Sequence, residues 1–261
     1  MNQIMVFFRT ASLLLGLLFL FVTPAAASPV QGIPVLLYHH VSDQETDMSE
    51  LTVSTAEFSR QLRLLRIHGY QTITLEQLGS FMRGERIALP DKPILISFDD
   101  GYADNYTQAF PILKEIGFRA TIFMVGINFD RANRLTSSQI REMAANSIEI
   151  GAHSMTHRDL TRLSRTDLRY EVVGSKQKVE QVVRAEAGYF AYPGGFYNLA
   201  ALEAVESAGF QGAFSVLPGL NRPDRDNIYL LRRIPIFRFT NFDRLLAKME
   251  IRQAKPSLLD Y

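Results

Sequence analysis

Short runs of β-branched and apolar residues alternate along this chain with longer amphipathic stretches. That alternation favours parallel βα units over a sandwich of hairpins. Strands are expected at residues 35–39, 72–74, 94–98, 120–125, 149–153, 189–192, 212–216 and 230–234. Their near-continuous apolar character implies burial on both faces. About eight strands in a single domain fit an α/β architecture, a (β/α) barrel that is complete or distorted.

The helices between them carry recognisable ends. Ser54-Thr55-Ala56-Glu57 and Thr136-Ser137-Ser138-Gln139 have capping-box spacing, in which the first and fourth residues satisfy each other's backbone amides. Phe58, Leu62, Leu65 and finally His68 fall on one helical face, and His68 reads as structural. Gly69, Gly117 and Gly209 stand where helices should stop, because glycine accepts the left-handed conformation there. Residues 217–227, with two prolines, one glycine and several charges, read as a long exposed loop. No internal repeat or interdomain linker is visible.

The first thirty residues have a different character. Arg9 precedes an apolar run from Ala11 to Val22, followed by Thr23-Pro24 and Ala25-Ala26-Ala27 before Ser28. A run of roughly a dozen residues suits the core of a secretory signal and falls short of the ~20 that span a bilayer. Residues 1–27 are therefore expected to be a signal peptide and 28–261 the working domain, exported to the periplasm or outside the cell. The alternative is a retained N-terminal membrane anchor, which would leave the protein peripheral to a membrane. Lys+Arg 28 against Asp+Glu 27 leaves no basic excess to neutralise phosphates, so nucleic acid is not the expected partner. The absence of cysteine excludes disulfides, thiolate metal sites and a cysteine nucleophile.

Catalytic groups of such barrels sit at the carboxyl ends of strands, so polar residues that terminate apolar runs carry the information. Ile94-Leu95-Ile96-Ser97-Phe98 ends in Asp99-Asp100-Gly101. Adjacent extended residues point to opposite sides, and two carboxylates serve one site only if the chain turns, as Gly101 permits. A plain Asp-Gly turn is the other reading. Glu149-Ile150-Gly151-Ala152 ends in His153, with His157 four residues on. Two imidazoles at that spacing can face one Zn²⁺, Ni, Co or Fe ion, or be unrelated loop residues. With Asp100 they make a His₂-carboxylate set that leaves one position for water, a catalytic rather than a structural arrangement.

Taken together, Phe98-Asp99-Asp100-Gly101 and His153-Ser154-x-x-His157 resemble, in order and separation, the first two motifs of the NodB-homology polysaccharide deacetylases, a class of carbohydrate esterases. The resemblance covers roughly residues 94–216. It implies a distorted (β/α) barrel, an acetylated polysaccharide substrate, a divalent metal, Zn²⁺ first among the candidates, held by Asp100, His153 and His157, and Asp99 as the catalytic base.

Two departures stand out. Phe190-Ala191-Tyr192-Pro193-Gly194-Gly195 has Ala191 where that family's third motif carries a base-orienting arginine, and no histidine follows His157 to serve as the late general acid. The early Tyr38-His39-His40 resembles the permuted arrangement of the biofilm poly-N-acetylglucosamine deacetylases, which also share the Phe-Ala-Tyr-Pro form and a late Leu-x-Arg-Ile, here Leu231-Arg232-Arg233-Ile234. Strand alternation puts Val35, Leu37 and His39 on one face and Leu36, Tyr38 and His40 on the other, so one histidine at most enters the barrel, and His39 is the expected acid. Arg233 either orients the base in place of the missing arginine or makes an ordinary surface or ion-pair contact. Gly194 can offer a backbone N–H to an oxyanion. Tyr192, Phe196 and Tyr197 either stack on sugar rings or pack in the core.

Overall fold

The computed structural model describes residues 30–44 and 48–254. The expected signal peptide and its boundary at Ala27 lie outside the described residues. Among those described, no helix is long and apolar enough to cross a membrane.

In chain order the strands are β1 (Ile33–Tyr38), β2 (His40–Val41), β3 (Thr52–Val53), β4 (Tyr70–Thr72), β5 (Lys92–Asp99), β6 (Ala120–Met124), β7 (Ile148–Ala152), β8 (Tyr189–Ala191), β9 (Gly212–Phe214), β10 (Leu220–Asn221) and β11 (Ile234–Pro235). The helices are α1 (Thr55–Ile67), α2 (Leu75–Met82), α3 (Phe110–Ile116), α4 (Ser137–Ala144), α5 (Arg165–Val183), α6 (Leu199–Ser207) and α7 (Phe242–Ala254). The main sheet runs β10-β1-β5-β6-β7-β8-β9, with β4 beside β5 and β11 beside β1; β2 and β3 pair separately. From β1 through β9 every pairing is parallel, and β10 alone runs antiparallel to β1.

The result is one domain built on a curled half-barrel sheet. Its two flanks are joined by residues 231–236. Leu231 makes a single parallel bridge to Phe214 in β9, Ile234 and Pro235 pair with Leu36 and Leu37 in β1, and the Ile236 N–H donates to the Leu37 carbonyl at 2.9 Å.

Side-chain parity sorts the sheet into an outer and an inner layer. Leu36, Tyr38, Ile94, Ile96 and Phe98 pack outward in one buried cluster with Phe58, Leu62 and Leu65 of α1. Ile33, Val35, Leu95, Phe123, Ala191 and Phe214 pack inward in a second cluster with Leu75, Leu78 and Met82 of α2. In β5, Leu95 faces inward, and Ser97 and Asp99 follow it at strand period. Residue 39 continues the inward row of Val35 and Leu37.

Several expectations need correction. The strand placed at 72–74 is Tyr70–Thr72, because Thr74 is the N-cap of α2 and forms a capping box with Gln77. The strand placed at 230–234 is broken: Ile228–Leu230 is a 3₁₀ turn and only Ile234–Pro235 is strand. The exposed loop at 217–227 contains β10, where Leu220 and Asn221 pair with Pro34 and Ile33. Asn221 is buried there and donates from Nδ2 to the carbonyls of Ile33 and Arg232. Ser54 caps α1 by accepting from the Glu57 N–H, but Glu57 turns its carboxylate to Arg60 and Gln61 instead of completing the box. Thr136 and Gln139 do form both halves. His68 lies beyond the end of α1, partly exposed and paired with Glu250 at 3.1 Å.

Candidate active site

The chain turns sharply at the end of β5. Asp100 and Gly101 both hold left-handed backbone, φ 71° and 69°. At Gly101 a Cβ would lie 2.2 Å from the Met124 sulfur, so any other residue there would have to move the Met124 side chain as well as adopt the positive φ. The turn lets two consecutive carboxylates face one cavity, which regular extended geometry forbids.

His153 follows β7. Its Nδ1 lies 2.7 Å from the Ala191 carbonyl of β8, which fixes that nitrogen as the N–H and leaves Nε2 with its lone pair free. Nε2 then stands 3.7 Å from Asp100 Oδ1 and 3.6 Å from Asp99 Oδ2. His157 Nε2 stands 3.4 Å from Asp100 Oδ1. One ligand atom from each of Asp100, His153 and His157 lies within 4.8 Å of the others. Donors in a tetrahedral site with bonds of about 2.0–2.1 Å are about 3.3 Å apart, so this set fits a divalent cation after small rotations. The chemistry fits as well. Burial holds the His153 imidazole below the ordinary histidine value against the pull of the Asp99 and Asp100 charges, which favours the neutral ring that metal ligation requires. His157 is 44 % exposed, His153 only 1 %, so the group sits at the mouth of the barrel with one side toward solvent.

Asp99 is buried beside this group and gripped by Arg233, whose Nη1 and Nη2 donate to Oδ1 and Oδ2 at 2.7 and 2.9 Å. Arg233 Nε donates to the Ser215 carbonyl at 2.9 Å, and the guanidinium lies over the rings of Phe123 and Phe214. Burial pushes the Asp99 carboxyl up, but the Arg233 charge, with help from His153, outweighs it and brings the carboxyl to about 2. Of the two readings open for Arg233, the structure places it on Asp99, where Ala191 carries no arginine.

His39 is half-buried, and its buried Nδ1 has no hydrogen-bond partner among the described residues. Burial lowers its pKa most strongly, while Asp99 and Asp100 raise it and Arg233 and His153 lower it. All four neighbours belong to the centre just described. His40 points the other way, with Nδ1 2.5 Å from Asp104 Oδ2 and its ring on Tyr102.

Tyr192 is not a sugar platform. It is fully buried, its ring packs against Phe190 and Tyr197, and its N–H donates to the Phe214 carbonyl. Tyr197 packs partly against the same core, and of the three rings only Phe196, 60 % exposed, offers a free face. Gly194, at φ 61°, lies so close to that ring that a Cβ would come within 2.8 Å of it. The carbonyls of Ala191 and Ser215 are functional contacts that sequence reading missed, since a backbone oxygen has no residue signature.

Comparison with known proteins agrees with this geometry. A family model described as polysaccharide deacetylase matches residues 86–213. The chain is 34% identical over 204 residues to YxkH of Bacillus subtilis (strain 168), assigned by name to the polysaccharide deacetylases, covering 78% of this chain and 71% of that protein. It is 26% identical over 244 residues to the poly-beta-1,6-N-acetyl-D-glucosamine N-deacetylase of Escherichia coli (strain K12), covering 77% of this chain but only 36% of that enzyme's length. The Streptococcus pyogenes deacetylase PplD, solved in complex with acetate, superposes with a TM-score of 0.77 at 26% identity, covering 84% of this chain and 99% of that one.

Proposed function

The chain belongs to the polysaccharide deacetylase family of metal-dependent hydrolases, and from that premise we propose that it removes N-acetyl groups from poly-β-1,6-N-acetylglucosamine. The observation that carries the reading is the convergence of Asp99, Asp100, His153, His157, Arg233 and His39 at one end of the curled sheet. The polymer is supported by the early acid histidine and the late arginine, a chain order that resembles the biofilm deacetylases, and by the name of the Escherichia coli relative. We further propose export, with residues 1–27 as the signal, to the periplasm or the exterior.

Asp100, His153 and His157 would hold the cation. A divalent ion, taken here as Zn²⁺, would supply Lewis acidity there, polarising the acetamide carbonyl and making water more acidic. Asp99 is the base: held in one plane by Arg233, it orients the attacking water and accepts its proton. A backbone N–H of the Gly194 turn is the proposed oxyanion donor, although the space beside its α-carbon is taken by the Phe196 ring. His39, neutral at rest, takes over the proton that Asp99 has accepted from the water and passes it to the sugar nitrogen as the C–N bond breaks, so an amine leaves rather than an amide anion and Asp99 returns to its charged form.

The test is acetate release by the purified chain from poly-β-1,6-N-acetylglucosamine oligomers, chitin oligomers, peptidoglycan and acetylxylan, with and without chelator. Chelator-sensitive release from the first substrate above all others is expected. Preference for chitin oligomers or peptidoglycan would overturn the polymer assignment while leaving N-deacetylation intact, and preference for acetylxylan, an O-acetyl ester, would overturn both.

A further inference from the structure

The segment between the two ligand histidines is a strained turn. Ser154 and His157 both hold left-handed backbone at φ 61°, a region uncommon for non-glycine residues, though histidine enters it more readily than serine. From within, Ser154 Oγ accepts the His157 N–H at 2.9 Å. From outside, Glu171 of α5 accepts the Thr156 backbone N–H at 2.8 Å and the Thr156 hydroxyl through its other oxygen.

Glu171 is out of place by packing alone. Leu168, Val172, Val179 and Val182 form the buried stripe of α5, and Glu171 lies among them, fully buried. An apolar residue would be ordinary there. A carboxylate taken from water needs compensation, and among the described residues no lysine or arginine forms an ion pair with it. Both of its oxygens are spent instead on the residue immediately before His157.

We propose that Glu171 is a positioning residue for the metal centre: through Thr156 it fixes the backbone that aims His157 Nε2 at the point shared with Asp100 and His153. This rests on reading those three residues as metal ligands. Groups that hold ligands in orientation typically change metal affinity 10–100-fold when removed.

The experiment is a Zn²⁺ dissociation constant, measured by chelator competition on the purified chain, together with the melting temperature of the metal-free protein. Glu171→Gln can still accept the peptide N–H at Oε1 and donate Nε2–H to the hydroxyl, so its affinity should stay within about threefold of wild type. Glu171→Leu suits the apolar stripe but keeps neither contact, and should bind Zn²⁺ about 10–100-fold more weakly while the metal-free protein stays folded. Wild-type affinity in folded Glu171→Leu, or equal losses in both variants, would overturn the inference. Should Glu171→Leu fail to fold, Thr156→Val, which loses only the hydroxyl, should weaken binding several-fold, and wild-type affinity there would overturn it equally. A wild-type chain that binds no Zn²⁺ would remove the metal centre and this inference with it. Because affinity is read without substrate, a failure to release acetate bears on the proposed function alone.

Discussion

Arg233 meets Asp99 end to end, with two parallel N–H···O bonds of 2.7 and 2.9 Å between a guanidinium that is 0 % exposed and a carboxylate 134 residues earlier in the chain. The arrangement fixes the carboxylate plane as well as its charge, something a lysine's single ammonium does not do. The partner arrives on the segment that joins β9 to β1, so closure of the curled sheet and orientation of the Asp99 carboxylate go together.

Arg233→Lys should therefore keep the charge and lose the fork. We expect kcat/KM to fall about 100-fold, the order associated with misplacing a reacting group by an ångström, with metal content unchanged. Arg233→Ala leaves a buried carboxylate alone and should cost about 3–5 kcal/mol. Acetate-release kinetics and urea unfolding read the two effects separately. A fully active Arg233→Lys enzyme would show that orientation by the fork is dispensable.

The adjacent carboxylates should separate by phenotype. Asp99→Asn keeps its shape but loses the acceptor chemistry, and should lower kcat by about 10²–10⁴-fold with normal metal stoichiometry. Asp100→Asn, His153→Asn and His157→Asn should lose the metal itself. Elemental analysis of each purified variant distinguishes them, and metal loss in Asp99→Asn alone would reverse the two assignments.

Acid should destabilise the metal-free fold in two stages. His39 and His153 are held below their ordinary value of 6.5, chiefly by burial. As pH falls below that value the unfolded chain takes up protons that the native state refuses, so the unfolded state binds more protons and stability declines. Asp99, lowered from 3.8 to about 2, adds a second loss in that lower window, because its stabilising charge disappears as it protonates. In chelator-treated protein the urea midpoint should thus fall between about pH 7 and pH 5, and His39→Gln or His153→Gln should flatten the slope. A midpoint that rises on acidification would contradict the burial of neutral rings.

What the sequence made legible follows strand period and burial. Alternation in β1 put His39 and His40 on opposite faces without any knowledge of the sheet, and Gly101 marked the turn that brings Asp100 to the same side as Asp99. Other features have no local signal. Tyr192 as a core ring and as a sugar platform would look the same in sequence. A two-residue strand such as β10 is too short for periodicity to register, so the prolines and charges on either side of it make the whole stretch read as loop. The Ala191 and Ser215 carbonyls act through backbone, and Arg233 finds Asp99 only once the sheet has curled.

His39 and His40 provide the last test, because they are adjacent and share a residue type but not an environment. His40 is bonded to Asp104 and stacked on Tyr102, so His40→Gln should disturb local packing and leave chemistry within about tenfold. His39→Gln should lower kcat on an N-acetyl substrate by about 10²–10⁴-fold, since it removes the proton that the departing nitrogen needs. An O-acetyl substrate of similar shape has an intrinsically better leaving group and should lose much less in the same variant. Comparing the two substrates separates a proton donor from a merely structural histidine, because a structural defect would depress both rates alike. Equal losses on amide and ester would therefore remove His39 from the role of acid, even if the amide rate alone fell as expected.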